Sequence, residues 1–342
     1  MIKDILRRLV EGERLSTDEA AAAMASVMDG EATAAQIAGM LTALRMRGET
    51  VDEITGFARV MRERAVRVTT ARTPLIDTCG TGGDSVKTFN ISTSAAFVVA
   101  GAGVGVAKHG NRAVTSKCGS ADVLEALDVR LDLTPEAVGR CIDAAGIGFL
   151  FARSHHPAMK HAAPVRAELG VRTIFNVLGP LTNPAGATRQ LIGVFDPALC
   201  EPLARVLGNL GAEHVMVVHG GPGLDEVATF GETTVAEYEN GDVRTYALRA
   251  DDFGLPGADP NDLAAGCDAA ENARHLTDVL EGTPGPRRDV VLANAAAALR
   301  VAGVVSTLRD GAALAAETID SGAARERLTH LIQCTREAAE KV

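Results

Sequence analysis

The chain opens on apolar positions at helical spacing. MIKDILRRLVEGE reads as an amphipathic helix with charges spread through it, and Ile37, Met40, Leu41 and Leu44 repeat the same spacing further on. Three capping boxes mark helix starts: Ser16 with Glu19, Thr33 with Gln36, and Thr50 with Glu53. No strand pattern interrupts residues 1 to about 70. This part of the chain is expected to form a small helical bundle, with apolar faces suited to a dimer.

From about residue 74 the pattern becomes strand alternating with helix. PLIDT, VGVAKHG, GIGFLFA, QLIGVF and HVMVVHG read as short apolar strands. Between them run helical patterns at AAFVVAG, ADVLEAL, Thr134–Pro135–Glu136 onward, and PALCEPLARVLGNL. One helix is expected to begin near Ser92–Thr93, and another to run through HHPAMKHAAPVRAELG. VAEYENGDVRTY predicts a hairpin turning at Asn240–Gly241, and helices dominate after residue 260. The alternation predicts an α/β fold with a mostly parallel central sheet flanked by helices.

Composition narrows the function. The 342 residues carry 34 basic and 44 acidic side chains, a net charge of −10, with aromatics at 3 % and no Trp. That argues against coating nucleic acid and against stacking on single strands. The six cysteines form no CxxC pair and read as reduced thiols of a cytoplasmic protein. The longest apolar run, AAFVVAGAGVGVA, is broken by glycine and falls short of the ~20 residues that span a bilayer. No signal peptide is read at the N-terminus.

Three loops carry the candidate chemistry. GTGGDSVKTFNIST, residues 80–93, follows a strand and leads into a helix. Such a turn leaves backbone N–H groups pointing into one concavity, which suits phosphate. It is neither a GxxxxGK[ST] loop nor a dinucleotide GxGxxG. KHGNRAVTSKCGSAD, residues 108–122, adds the charges of Lys108 and Arg112 and the hydroxyls of Ser116 and Ser120. One βα unit later in the chain, it is expected on the same sheet edge. GLDEV brings Asp225 and Glu226 together in a loop, where both can face Mg²⁺ beside substrate phosphates. Ordinary capped connections and an acidic surface turn are the plain alternatives for each loop taken singly. His155, His156 and His161 lack Cys or carboxylate partners at zinc spacing.

GTGGD, NIST, KHGNR, GSADVLEAL, RTIFNVLGPLTNP and GLDE occur in that order. Together they resemble the anthranilate phosphoribosyltransferase family over nearly the whole chain. The resemblance implies a helical domain at residues 1–70, joined by helices from about 157–186, and an α/β domain at 71–342 that binds phosphoribosyl pyrophosphate. It implies a homodimer, two Mg²⁺ per monomer held by Ser92, Asp225 and Glu226, and no general base, since an aromatic amine is neutral at pH 7. Gly80, Gly83, Asp84, Thr88, Asn90, Ile91, Ser92 and Thr93 would cradle phosphoribosyl pyrophosphate. Lys108, His109, Gly110, Asn111, Arg112, Ala113, Val114, Thr115, Ser116 and Ser120 would complete the substrate site. Lys108, Asn111 and Arg166 would be catalytic, with Arg166 facing the anthranilate carboxylate and His109 lining the same path. Two positions depart from the pattern: Asp128 stands where glycine is expected, and Thr115 where serine is usual. A pyrimidine nucleoside phosphorylase, whose counterpart of KHGNR is glycine-rich and which carries a further C-terminal domain, is the nearest alternative. A basic, nucleic-acid-binding paralogue of the fold is another.

Overall fold

Each of the three capping boxes forms. Ser16, Thr33 and Thr50 accept from the backbone N–H of Glu19, Gln36 and Glu53, whose side chains reach back to the cap N–H at 2.9 Å. They start the helices Thr17–Met28, Ala34–Arg47 and Val51–Arg64, which follow Ile2–Val10. The computed structural model describes residues 2–83, 85–113, 118–221 and 223–340.

The rest of the chain builds one seven-stranded sheet: β1 (Leu75–Gly80), β2 (Gly105–Gly110), β3 (Ile147–Phe151), β4 (Arg189–Gly193), β5 (His214–Gly220), β6 (Thr233–Glu239) and β7 (Asp242–Leu248). The order is β3-β2-β1-β4-β5-β6-β7. The first five strands in that row are parallel, and β6 and β7 close it antiparallel. The β6–β7 turn is the Asn240–Gly241 pair, with φ of 53° and 90°, the left-handed pair a two-residue hairpin requires. The chain runs outward from β1 through β2 to β3, then returns to β4 on the other side of β1. That reversal is where open α/β sheets bind ligands, outside the carboxyl ends of the strands.

Alternate strand residues face two cores. Ile76, Leu191, Met216 and Val218 join one with the helices Ile91–Gly101 and Pro286–Val301. Cys79, Ile192, Val215 and Val217 join the other, with the N-terminal helices and with Ala162, Val165, Ile174 and Phe175.

One expectation is corrected. The helix expected through 155–170 is three short pieces: Ala152–His155, a 3₁₀ turn Pro157–His161, and Ala163–Leu169. Pro157 and Pro164 lack the N–H that would continue a helix, and His156, before the first, is driven out of helical geometry with ψ of 61°. The helix expected near Ser92–Thr93 is present and starts at Ile91, with Asn90 before it. Asp128, where glycine was expected, has φ of 69°. An aspartate tolerates that left-handed turn better than most residues, and its carboxylate accepts from Arg336 at 2.7 Å.

Candidate active site

Four of the parallel strands, β1, β2, β4 and β5, end in glycine at the carboxyl edge: Gly80, Gly110, Gly193 and Gly220. None of the four has positive φ, so close approach explains them. Gly80 and Gly193 are register partners across β1 and β4, at the reversal point. A Cβ on Gly80 would stand 2.7 Å from the Asp225 carboxylate, and one on Gly193 would overlap the Asp225 carbonyl. A Cβ on Gly220 would meet the Glu226 carbonyl, and one on Gly110 the Ser120 hydroxyl. The strand ends form a bare floor on which the acidic loop lies.

That loop is held from several sides. Gly220 and Leu224 exchange backbone hydrogen bonds at 2.8 and 2.9 Å. Asn294, buried in the helix Pro286–Val301, accepts from Val227 N–H at 3.0 Å and donates to Val227 C=O at 2.9 Å. The glycine loop then joins it. Ser85 N–H donates to Gly223 C=O at 3.0 Å, Gly82 N–H to Asp225 Oδ2 at 2.8 Å, and Ser92 N–H to Glu226 Oε1 at 3.1 Å. Gly82 and Gly83 have φ of 65° and 79°, a conformation that favours glycine. The two carboxylates gathered at this point, with Ser92 bound to one of them through its N–H, offer hard oxygens that fit a Mg²⁺-type cation.

Not every expected residue turns a side chain to this surface. Ile91 and Thr93 bury theirs to 1 % exposure, leaving only backbone to offer. Thr88 bridges to Ala264. Asn90 Nδ2 reaches Cys118 C=O at 3.4 Å, while its buried Oδ1 has no partner among the described residues. Asp84, Val114, Thr115 and Ser116 lie outside the described residues. Asp122 accepts from Ala113 N–H at 3.0 Å and Gly119 N–H at 2.8 Å. The open positive charge expected at Arg112 is corrected: Asp122 and Glu125 bind its guanidinium. They lie three residues apart on the helix Ser120–Ala126 and share a face. Asn111 is exposed at the rim; its carbonyl accepts from Ser120 Oγ at 3.3 Å.

Lys108 is also placed differently from expectation. It is 3 % exposed, and its ammonium donates to the Thr78 carbonyl. The β1–β2 ladder has two register pairs, Leu75 with Gly105 and Ile76 with Val106; beyond them side chains bridge the strands. Asp77 accepts from His109 N–H at 3.0 Å and from Asn183 Nδ2 at 2.8 Å, and Asn183 donates to Ala107 C=O at 2.8 Å. Burial raises the Asp77 carboxyl to about 6, with the Asn183 amide and then the Lys108 charge pulling the other way. Burial lowers Lys108 from its ordinary value, against the opposing pull of Asp77 and of Glu226 and Asp225.

Beside this seam, His109 Nδ1 lies 3.1 Å from Gly179 C=O. Burial, then the neighbouring His156, pushes His109 well below its ordinary value. The neutral ring therefore donates through Nδ1 and keeps a lone pair on Nε2. The Nε2 atoms of both histidines are buried without partners among the described residues, and the rings stand 5.2 Å apart. Arg166, half-buried over the Phe175 ring at 5.2 Å, has no ion pair, and no side-chain hydrogen bond to the phosphate-type loops, among the described residues. Burial lowers its guanidinium.

Sequence reasoning missed Arg172, whose guanidinium donates to Gly83 C=O and lies 4.1 Å over Phe195. It also gave no role to Gly193, Gly220, Asn294 or His156. Only Gly220 left a local signal, as the last residue of the apolar run HVMVVHG; Gly193 sits inside QLIGVF.

Family models match two segments: a glycosyl transferase family helical bundle domain at residues 3–65 and a glycosyl transferase family a/b domain at 72–325. The chain is 60 % identical to an anthranilate phosphoribosyltransferase of Symbiobacterium thermophilum, over 98 % of each chain. It is 57 % identical to one of Moorella thermoacetica, over 97 % of this chain and 98 % of that one. Among solved structures, the anthranilate phosphoribosyltransferase of Thermus thermophilus superposes with a TM-score of 0.92 at 47 % identity, covering 97 % of this chain and 99 % of that chain. The Saccharomyces cerevisiae enzyme in complex with PRPP and Mg gives 0.89 at 28 % identity, covering 98 % of each.

Proposed function

The chain belongs to the anthranilate phosphoribosyltransferase family, and from that membership we propose how its own residues carry the transfer. The reaction joins the phosphoribosyl group of phosphoribosyl pyrophosphate to the amine of anthranilate, giving N-(5-phosphoribosyl)anthranilate and pyrophosphate. The observation that carries the assignment of the site is the Gly80–Gly193 register pair with Asp225 resting on it. It joins the glycine loop and the acidic loop at the reversal point of the sheet.

Two Mg²⁺ per monomer, held by Asp225, Glu226 and Ser92, fit that oxygen set. When bound, the metal offsets charge building on the departing pyrophosphate. The yeast relative solved with Mg and PRPP supports this use. The amides of Gly82, Gly83, Ser92 and Thr93 bind phosphate oxygens, Gly82 N–H exchanging the Asp225 carboxylate and Ser92 N–H the Glu226 carboxylate for one of them. Lys108 keeps its buried charge beneath the site and holds the β1–β2 seam at a fixed width. Arg166 binds the anthranilate carboxylate, while Asn111 and the lone pair of His109 orient the amine. Bond exchange at the anomeric carbon proceeds as a single displacement through an oxocarbenium-like transition state, close in charge to glycoside cleavage. No side chain need take a proton before attack. Orientation and electrostatic stabilisation supply the acceleration.

Loss of anthranilate fluorescence that requires protein, Mg²⁺ and phosphoribosyl pyrophosphate together is the expected result. Phosphate-dependent cleavage of thymidine or uridine in its place would overturn the reading. In the same assay Arg166→Ala raises KM for anthranilate about 10- to 100-fold, the value of a charge-assisted hydrogen bond, and leaves KM for phosphoribosyl pyrophosphate nearly unchanged. An equal rise in both would remove Arg166 from the carboxylate.

The helical domain of residues 1–70, joined by 157–186, has support in the core that those segments share. A homodimer through the N-terminal helices has support in Val10 and Met46, exposed to 72 % and 84 %. Sedimentation should give twice 35.5 kDa; a monomer mass at micromolar concentration excludes the dimer. The free cysteines suit a reducing cytoplasm. Among the described residues no helix is long and apolar enough to cross a membrane.

A further inference from the structure

On the opposite edge of the sheet, where β4 and β5 begin, a cavity of about 420 Å³ opens between the helix Val51–Arg64 and the turns at 183–188 and 209–212. Arg62 and Arg67 line it, with Arg59 and Glu63 beside them. Arg59 is occupied, donating to Asp18 at 2.7 Å. Arg62 and Arg67 are not: neither forms an ion pair with a carboxylate among the described residues. Arg62 donates from Nε to Leu181 C=O at 2.6 Å and from Nη1 to Leu210 C=O at 3.0 Å. Those are neutral acceptors, and its Nη2 makes no hydrogen bond among the described residues. Burial, and then the charge of Arg67, lowers the Arg62 guanidinium to about 10.

Two guanidinium groups that repel each other, Arg62 half-buried and Arg67 exposed at the mouth, in a concave site with no carboxylate on either among the described residues, are set up for an anion. Guanidinium forks match phosphate oxygens in pairs. The cavity also falls in the range of about 300–1,000 Å³ typical of small-molecule sites, more than a bare ion needs. Thr188, at the wall, offers a hydroxyl. We propose that this cavity binds a small phosphate-bearing molecule through Arg62 and Arg67. Glu63 at the rim opposes the anion and limits its affinity. The site is separate from the reaction: it sits at the amino ends of β4 and β5, whereas the acidic loop lies on their carboxyl ends. An occupant would tie the helix Val51–Arg64 to the turns before both strands.

The plain reading of Arg62 is a structural tie that caps two carbonyls and binds nothing. Variants at Arg67 and Glu63 separate the two readings, because neither residue takes part in that tie. Melting temperature is followed at constant ionic strength in chloride, with millimolar inorganic phosphate or glycerol 3-phosphate, for the wild type, Arg67→Gln and Glu63→Gln. Phosphate bound at the active site contributes equally to all three. The expected result is a rise in the wild type with both probes, a rise at most half as large in Arg67→Gln, and a larger one in Glu63→Gln. With kcat and both KM values unchanged in Arg67→Gln, that outcome places the anion in the cavity. Equal rises in the three proteins, or a difference seen with inorganic phosphate but not glycerol 3-phosphate, overturn the proposal.

Discussion

Replacing Asp225 with Asn and Glu226 with Gln together lowers kcat by on the order of 10³-fold, with the protein still folded. The amides keep the shape of the carboxylates, and their oxygens can still accept from Gly82 and Ser92, which donate at 2.8 and 3.1 Å. What they lose is negative charge, and with it the means of holding a hard divalent cation against substrate phosphates. Metal stabilisation of a departing phosphate is worth several kcal/mol, and about 4 kcal/mol is a thousandfold in rate. Unchanged thermal unfolding beside the fall in kcat separates lost chemistry from lost structure. Near-normal turnover in the double variant would end the metal role of this loop.

The second large effect is expected at Gly193, which no substrate need touch. A methyl group there falls onto the Asp225 carbonyl, so backbone meets backbone and no side-chain rotation relieves it. Gly193→Ala must push the acidic loop off β4 or part β4 from β1. Overpacking of this kind costs about 1–3 kcal/mol and occasionally more, and the upper end is expected here because Asn294 anchors the loop from beneath. Activity falls with stability. Gly80→Ala is the matched control: its methyl group meets only the end of the Asp225 side chain, 2.7 Å away, which can turn aside. It should unfold close to the wild-type temperature while losing activity. If both variants melt alike, the floor is looser than the packing implies.

Local signals carried the sheet a long way. Capping boxes, the Asn240–Gly241 turn and the strand–helix alternation each depend on residues within a few positions of one another, so they are written in the sequence. The segment near residue 160 was misread as one helix, although Pro157 and Pro164 stand in plain view to break it. The site was legible only in part. Gly80 and Gly83 announce themselves within a glycine-rich turn, whereas Gly193 becomes necessary only once β4 lies beside β1 and Asp225 returns from further along the chain. Asn294 and Arg172 act across similar separations, and neither has a motif. Arg112 read as open charge because the carboxylates that quench it lie on a helix ten or more residues later. Lys108 read as a reaching cation because nothing local reveals that its strand is buried on both faces.

The bare strand ends also bear on how such a protein can change over generations. One half of the cleft is laid out in main chain, and there a substitution has little to alter short of removing a glycine. On the proposed reading the other half is made of side chains, Arg166 and His109 among them, carried on a short helical piece and a strand end. On that same reading, heritable variation in what the protein accepts has its raw material in those side chains, while the glycine floor beneath the acidic loop is fixed by the absence of anything to vary.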